Sequence, residues 1–192
     1  VFTPRDGGII TEAFDPSKMV DPSLIIYAPV RVPDARTTIV TNGDQTDTVA
    51  QFLQAGRTFE DALRTRTFEP DAPNYTPRVS GLLTVGDGRV RYKLSILKSD
   101  DGDGGSVQRF FFDYPQPKAG EGHFLHTYRC DGNPIPSFEG EPERVKIGCP
   151  AIDAFAANLW AALDAQNKVS LFVRTIDLKT GEPTTRILNA RA

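Results

Sequence analysis

Gly86-Asp87-Gly88 stands between two runs rich in β-branched residues, Val79–Val85 and Val90–Leu97. A connection this short, with glycine and aspartate where positive φ is needed, is the signature of an antiparallel hairpin. Related punctuation recurs along the chain. Pro33-Asp34 separates a strand over Leu24–Val32 from another over Thr37–Thr41, and the turn Ser99–Ser106 precedes strands over Val107–Tyr114 and His123–Cys130. Thr180-Gly181-Glu182 divides Val169–Leu178 from Thr184–Leu188, and Pro134–Gly148 reads as an exposed charged loop. The pattern predicts about eight strands.

The helical period breaks this pattern in two places. Within Thr46–Ala55, Val49, Phe52 and Leu53 fall at i, i+3 and i+4, and Gly56 stops the helix. Thr58 caps a second short helix with Asp61 at its third position and Phe59, Ala62 and Leu63 on its apolar side. Far downstream, Ala151–Ala165 carries a stripe of Ile152, Phe155, Ala156, Leu159, Trp160 and Leu163, with Trp160 read as core. Strand runs and helices in separate blocks predict an α+β layered fold, with two stacked sheets and helices outside. No repeat or linker divides residues 1–192, so a single domain is expected.

The net charge of −3 gives no electrostatic reason to expect nucleic acid or an anionic membrane as a partner, although a local Arg/Lys cluster still suits a small anion. No apolar run approaches the ~20 residues of a membrane helix, and the polar, glycine-rich start Val1–Ile10 is not read as a signal peptide. Cys130 and Cys149 fit neither a zinc knuckle nor a CxxC pair and read as reduced thiols of a cytoplasmic protein. Ser99–Ser106 (SDDGDGGS) lacks the ligand order and distal glutamate of a calcium loop, so no metal role is expected there.

Three polar clusters are candidates for chemistry. Thr41–Asp47 (TNGDQTD) lies between a strand and a helix. Its helix N-terminus suits an anion, and Asn42, Asp44 and Gln45 suit a base or ribose; the alternative is a capped loop with Asp44 or Thr46 as N-cap. Glu69–Arg78 (EPDAPNYTPR) is a proline-fixed loop that aims Tyr75 for stacking or hydrogen bonding and Arg78 at a phosphate, or else is only a rigid surface turn. Tyr114–His123, continuing to His126, Thr127 and Tyr128, puts Lys118, Glu121 and His123 near one strand start; alternation sets Glu121 and His123 on one face. Two histidines are too few for a metal site.

Taken in order, these clusters resemble the archaeal-type IMP cyclohydrolases and their bacterial relatives. The matching stretches are IVTNGDQTD (Ile39–Asp47), the RTFEDAL segment (Arg57–Leu63), NYTPRVSG (Asn74–Gly81) and GEGHFLHTY (Gly120–Tyr128). The resemblance implies a four-layer α-β-β-α sandwich like that of N-terminal nucleophile hydrolases, without autoprocessing, so Val1 is not read as a nucleophile. It implies ring closure of 5-formamidoimidazole-4-carboxamide ribonucleotide to IMP and water, with no cofactor and a homo-oligomeric state. It supports Asn42, Tyr75, Thr76, Arg78, Glu121, Thr127 and Tyr128 as pocket residues; Lys118 and His123 rest on their chemistry, and Gly43 and Asp44 are further substrate-binding candidates. Arg78 and Lys118 suit the phosphate or oxyanion, and Tyr75 and Glu121 suit proton transfer. The family opens with an Arg- and Ser-rich strand, and this chain is expected to start just after it. That leaves two alternatives: a purine-nucleotide-binding module without activity, or an enzyme acting on another amide or cyclic amidine.

Overall fold

The computed structural model describes residues 1–15, 17, 26–148 and 151–191. Seven strands form one antiparallel sheet in sequence order: β1 (Phe2–Arg5), β2 (Gly8–Thr11), β3 (Val30–Asp34), β4 (Thr37–Thr41), β5 (Arg78–Gly86), β6 (Arg89–Asp100) and β7 (Asp103–Tyr114). Two further hairpins form small sheets of their own, β8 (Glu121–Phe124) with β9 (Glu143–Lys146), and β10 (Ser170–Ile176) with β11 (Pro183–Asn189), the latter joined to β1 through Asn189 and Phe2. The helices are α1 (Gln45–Gln54), α2 (Phe59–Arg64) and α3 (Ile152–Ala162). The architecture is α+β and mostly antiparallel.

The tight turns follow from local chemistry. Asp87 and Gly88 join β5 to β6 with φ of 54° and 70°, and Asp101 and Gly102 join β6 to β7 with φ of 51° and 78°. These double positive-φ turns match the twist of the strands they join. The β6–β7 strands therefore extend further into Ser99–Ser106 than its glycine content suggests. Asp6 and Gly7 make a third turn of this kind between β1 and β2, a hairpin that the sequence reading passed over.

Register sets the two faces of the sheet. Ile39, Leu82 and Lys93 lie opposite one another across β4, β5 and β6, as do Val40, Gly81 and Leu94 one position along. The Ile39 face is covered by α1 and α2, where Ile39, Val49, Phe59, Ala62, Leu63 and Leu97 form a fully buried cluster. Thr58 accepts from the Asp61 N–H at 3.0 Å while Asp61 accepts from Thr58, so the expected capping box starts α2. The opposite face leaves Val40 and Phe110 at 45% and 41% exposure.

Four expectations need correction. The Leu24–Val32 strand begins only at Val30; Leu24 and Ile25 lie outside the described residues, as does Cys149, while Cys130 is an exposed free thiol. His123–Cys130 is strand only to Phe124, after which Tyr128 makes a single bridge to Ser137, and part of the supposed loop Pro134–Gly148 is the paired strand β9. The stripe on α3 is not a core: Ala156 alone among its residues is fully buried, Trp160 is half-buried under the Lys168 ammonium, and Leu159 and Leu163 are exposed. Among the described elements, helix α3 packs mainly on the small β10–β11 hairpin, which is too narrow to cover the whole stripe.

Candidate active site

The first two polar clusters meet where β4 ends and β5 begins. Ten residues of α1 start at Gln45, and Asp44 holds the N-cap position without a side-chain capping bond. Its carboxylate turns instead to two arginines, accepting from Arg78 Nη1 at 2.7 Å and Arg66 Nη2 at 2.5 Å. Arg78 Nη1 also donates to Gln45 Oε1 at 2.7 Å and lies 3.0 Å from Glu69 Oε1. Asn42 locks the two chain segments together. Its Oδ1 accepts from the Val79 N–H at 2.9 Å and its Nδ2 donates to the Pro77 carbonyl at 2.9 Å. Thr41 and Thr46 share a hydrogen bond beneath the turn, and both hydroxyls reach the Gly43 carbonyl.

Gly43 is the residue around which this cluster closes. A Cβ there would lie 2.4 Å from Arg78 Nη1, 2.6 Å from Gln45 Oε1 and 3.0 Å from Glu69 Oε1. Only a residue without a side chain lets the guanidinium and its acceptors converge.

The electrostatics divide the two carboxylates. For Asp44, burial opposes ionisation, but the hydrogen bonds and positive charges of Arg66 and Arg78 outweigh it and lower the pKa below the usual aspartate value. For Glu69, burial wins: despite Arg78, and with the negative charges of Asp44 and Asp71 adding to it, the pKa is raised. Burial also raises the Tyr27 hydroxyl, with the charge of Glu69 adding and that of Arg78 opposing. One environment thus holds one carboxylate firmly ionised and another closer to protonation, a division suited to acid–base work.

Tyr27 also lines a cleft of about 870 Å³ between α1 and strands β1 to β6. Arg5, Arg31 and Arg91 line it, as do Asp47 and apolar side chains including Leu53 and Leu82. The volume lies within the usual range of small-molecule sites.

The remaining sequence candidates fall in two places. Thr76 hydrogen-bonds Asp71 and lies 2.7 Å from the Tyr128 hydroxyl, and the Thr127 carbonyl accepts from the Phe138 N–H. Tyr75, at φ 42°, packs edge-on to Phe68, and its hydroxyl lies against Gly104 of β7. This group borders the Arg78 cluster, since the Glu69 N–H donates to the Thr76 carbonyl. Lys118, Glu121 and His123 line a separate pocket of about 300 Å³ with Tyr92, Tyr114 and Arg144. There Tyr114 stacks on His123 at 3.8 Å between centroids and Tyr92 shares a 2.6 Å hydrogen bond with His123 Nδ1. Tyr92 is five residues along β6 from Leu97, the partner of Arg78, and on the other face. At ~3.3 Å per residue that is about 17 Å. Within one chain the Arg78 and Glu121 groups therefore do not share a pocket.

Sequence reasoning named Gln45 only as a possible ligand and gave Glu69, Tyr27 and Arg66 no role. Glu69 lies in the same proline-fixed loop as Arg78, and that nearness was the available signal. Tyr27 carried no local signal, because it reaches the cluster only through the fold.

An α+β sheet protein with a buried Arg–carboxylate cluster beside a nucleotide-sized cleft is the class that this geometry defines. The chain belongs to the IMP cyclohydrolase-like protein family, whose sequence profile matches residues 2–181. It is similar to an IMP cyclohydrolase of Methanopyrus kandleri, at 29% identity over 162 residues that cover 70% of this chain and 72% of that protein. Among the described residues, no helix is long and apolar enough to cross a membrane.

Proposed function

We propose that this protein is an IMP cyclohydrolase that closes 5-formamidoimidazole-4-carboxamide ribonucleotide to IMP with loss of water, a step of purine biosynthesis. The observation that carries the reading is the convergence of Asn42, Gly43 and Asp44 with Arg78. These come from the two stretches most like the family and meet around one guanidinium beside a cleft of nucleotide size. Family membership and the similarity to a named IMP cyclohydrolase support the same reaction.

The reaction is intramolecular. The carboxamide nitrogen attacks the formyl carbon, and its proton passes to the former formyl oxygen. That oxygen then leaves as water with the proton of the formamido nitrogen. The site's main tasks are to select the ring-closing rotamer, to hold the developing oxyanion, and to move these protons. Arg78 suits the oxyanion, Asn42 and Asp44 orient Arg78 and the loop that carries it, and the raised Glu69 carboxyl suits proton transfer. Tyr75, Thr76, Thr127 and Tyr128 border this end. Lys118, Glu121 and His123 join the same reaction only through a second pocket, and a homo-oligomer is one arrangement that would bring such a pocket to a neighbour's cleft. The open apolar face at Val40 and Phe110 supports a homo-oligomer, and a second sheet stacked there would give the α-β-β-α order of layers. The reading includes one domain over residues 1–192 and a cytoplasmic setting, with neither nucleic acid nor membrane as partner.

The test is cyclisation of the formamido ribonucleotide, followed by absorbance, on the wild type and on Arg78→Ala. Turnover that falls at least a hundredfold in the variant is expected. Unchanged turnover would remove Arg78 from the mechanism, and a wild type that binds IMP without turnover would favour the binding-module alternative.

A further inference from the structure

The seven-stranded sheet ends on two unlike edges. The β1 edge is 4 residues long and carries Pro4. Asn189 ties it off, accepting the Phe2 N–H at 2.9 Å and donating to the Phe2 carbonyl at 3.2 Å. Shortness, a proline and a covering side chain are the usual ways in which an edge is blunted against further pairing. The β7 edge is 12 residues long and holds no proline. Its register with β6 shifts only beside the turn, between Ser99 and Asp100. Among the described residues β6 is the only strand paired with β7, and the backbone groups on the other side of Val107–Tyr114 bond to nothing. Phe110, Phe111 and Phe112 stand along this open edge, and Phe110 is 41% exposed. A long edge of this kind is a template for another strand.

We infer that β7 is the surface through which two copies of this chain associate, the two β7 strands pairing antiparallel about a two-fold axis at Phe111. The sheets of the two copies then run on as one. Because the axis is normal to the sheet, the helices of both copies lie on one side and their open faces join on the other. Such a dimer is independent of which ligand the protein takes.

The order of residues along β7 selects the register. Outward-facing backbone groups come from alternate residues, so a strand paired with its own copy sets odd positions opposite odd and even opposite even. Centring on Phe110 would put Arg109 opposite Phe111 and Asp113 opposite Val107. Centring on Phe112 would put Asp113 opposite Phe111 and leave Arg109 opposite Pro115, beyond the end of the strand. Only centring on Phe111 sets Arg109 opposite the partner's Asp113 and, by symmetry, Asp113 opposite the partner's Arg109. The same register sets Phe110 opposite the partner's Phe112, also twice, on the open face. Opposite charges and aromatic pairs directly across from one another, with Cβ atoms about 4.5–5.5 Å apart, are the contacts that stabilise paired strands.

Both charges are available for the pair. Arg109 donates from Nε and Nη2 to the Arg66 carbonyl, which leaves Nη1 open, and it makes no ion pair among the described residues. The Asp113 side chain is 59% exposed, and Lys93 Nζ lies 3.8 Å from it while Glu60 holds that ammonium at 2.6 Å. Against a foreign strand these two charges would meet unmatched neighbours and resist pairing. Against a second copy they match, so the edge is closed to other strands and open to its own. Assembly also reaches the smaller pocket. The partner's Gln108 stands opposite Tyr114, which stacks on His123 in that pocket's wall, so the second copy lies at its rim.

The test is sedimentation velocity over a concentration series on the full chain, with every variant checked for a native melting transition. The wild type is expected to dimerise. Arg109→Asp and Asp113→Arg each set like charges opposite one another and should weaken the dimer at least about tenfold. Phe110→Asp, at an exposed position where the fold tolerates the change, should weaken it as well. An equimolar mixture of Arg109→Asp and Asp113→Arg, and the variant carrying both changes, should associate as the wild type does, because opposite charges again face each other. A monomeric wild type would overturn the proposal, as would a dimer that ignores both charge reversals and therefore forms through another surface. Single variants that stay monomeric when mixed, with the double variant also monomeric, would overturn the register centred on Phe111.

Discussion

Gly43→Ala isolates the central cluster better than any truncation, because the added methyl touches little else. Gly43 does not take a positive φ, so alanine meets no backbone penalty there and the effect is one of space. The new Cβ would stand 2.4 Å from Arg78 Nη1, whereas unstrained contacts lie near ~3.5 Å, so the guanidinium must withdraw by about 1 Å. Its bonds to Asp44 and Gln45, both 2.7 Å, would then exceed the ~3.2 Å limit of a good N–H···O bond. Hydrogen bonds to charged groups contribute about 1.5–3 kcal/mol each. Losing one or two, with Asp44 still held by Arg66, gives a cost of about 2–4 kcal/mol. For a chain of this size that is a fall in Tm of roughly 5–15 °C. The assay is thermal and denaturant unfolding together with cyclisation kinetics, and kcat is expected to fall with stability because Arg78 is displaced. Gly81→Ala on β5 is the control: its Cβ would meet Leu94 at 3.5 Å, ordinary contact, and Tm should hold or rise. A Gly43→Ala protein that melts within about 2 °C of wild type with unchanged kinetics would refute the packing argument.

Two other perturbations follow from the split electrostatics. Glu69 has a raised pKa in the folded protein, so its ionisation opposes folding at neutral pH; that penalty fades as pH falls through the folded pKa towards the ordinary glutamate value. Glu69→Gln is therefore expected to raise the denaturation midpoint at pH 7 while lowering kcat, and the stability gain should vanish near pH 4; lower stability at pH 7 would contradict it. Asp44 has the opposite sign, with a pKa lowered by its arginines, so it contributes stability above the ordinary aspartate pKa that is lost as pH falls through the folded value. Asp44→Asn should cost stability at pH 7 and converge on wild type below about pH 3, near the low end of the aspartate range; a constant difference across that window would show that the role is steric rather than electrostatic.

The local elements were legible because their causes are local. Asp87-Gly88 makes its own turn, Thr58 and Asp61 cap their own helix, and the 3.6-residue period of Val49, Phe52 and Leu53 marks a face before anything packs on it. The missed β1–β2 hairpin carried the same signal in Asp6-Gly7, but its short strands alternate too weakly to announce themselves. What sequence could not decide was which surfaces meet. Trp160 and its neighbours form a stripe by period, but whether a stripe becomes a core depends on the width of the partner, and a two-stranded hairpin is narrow. Likewise the residues of the third cluster are neighbours along the chain, yet the fold sends Thr127 and Tyr128 to the Thr76 end and leaves Glu121 and His123 with Tyr92 and Tyr114. Glu69 and Tyr27 acquire their roles only when β4 and β5 pair, because a pKa is set by the charges and the solvent around a group. Sequence thus determined the turns, caps and family-like motifs, whose energies act within a few residues. Tertiary structure alone decided the cleft, the Arg78 cluster and the division of the candidates between two pockets, because these depend on register and burial across the sheet.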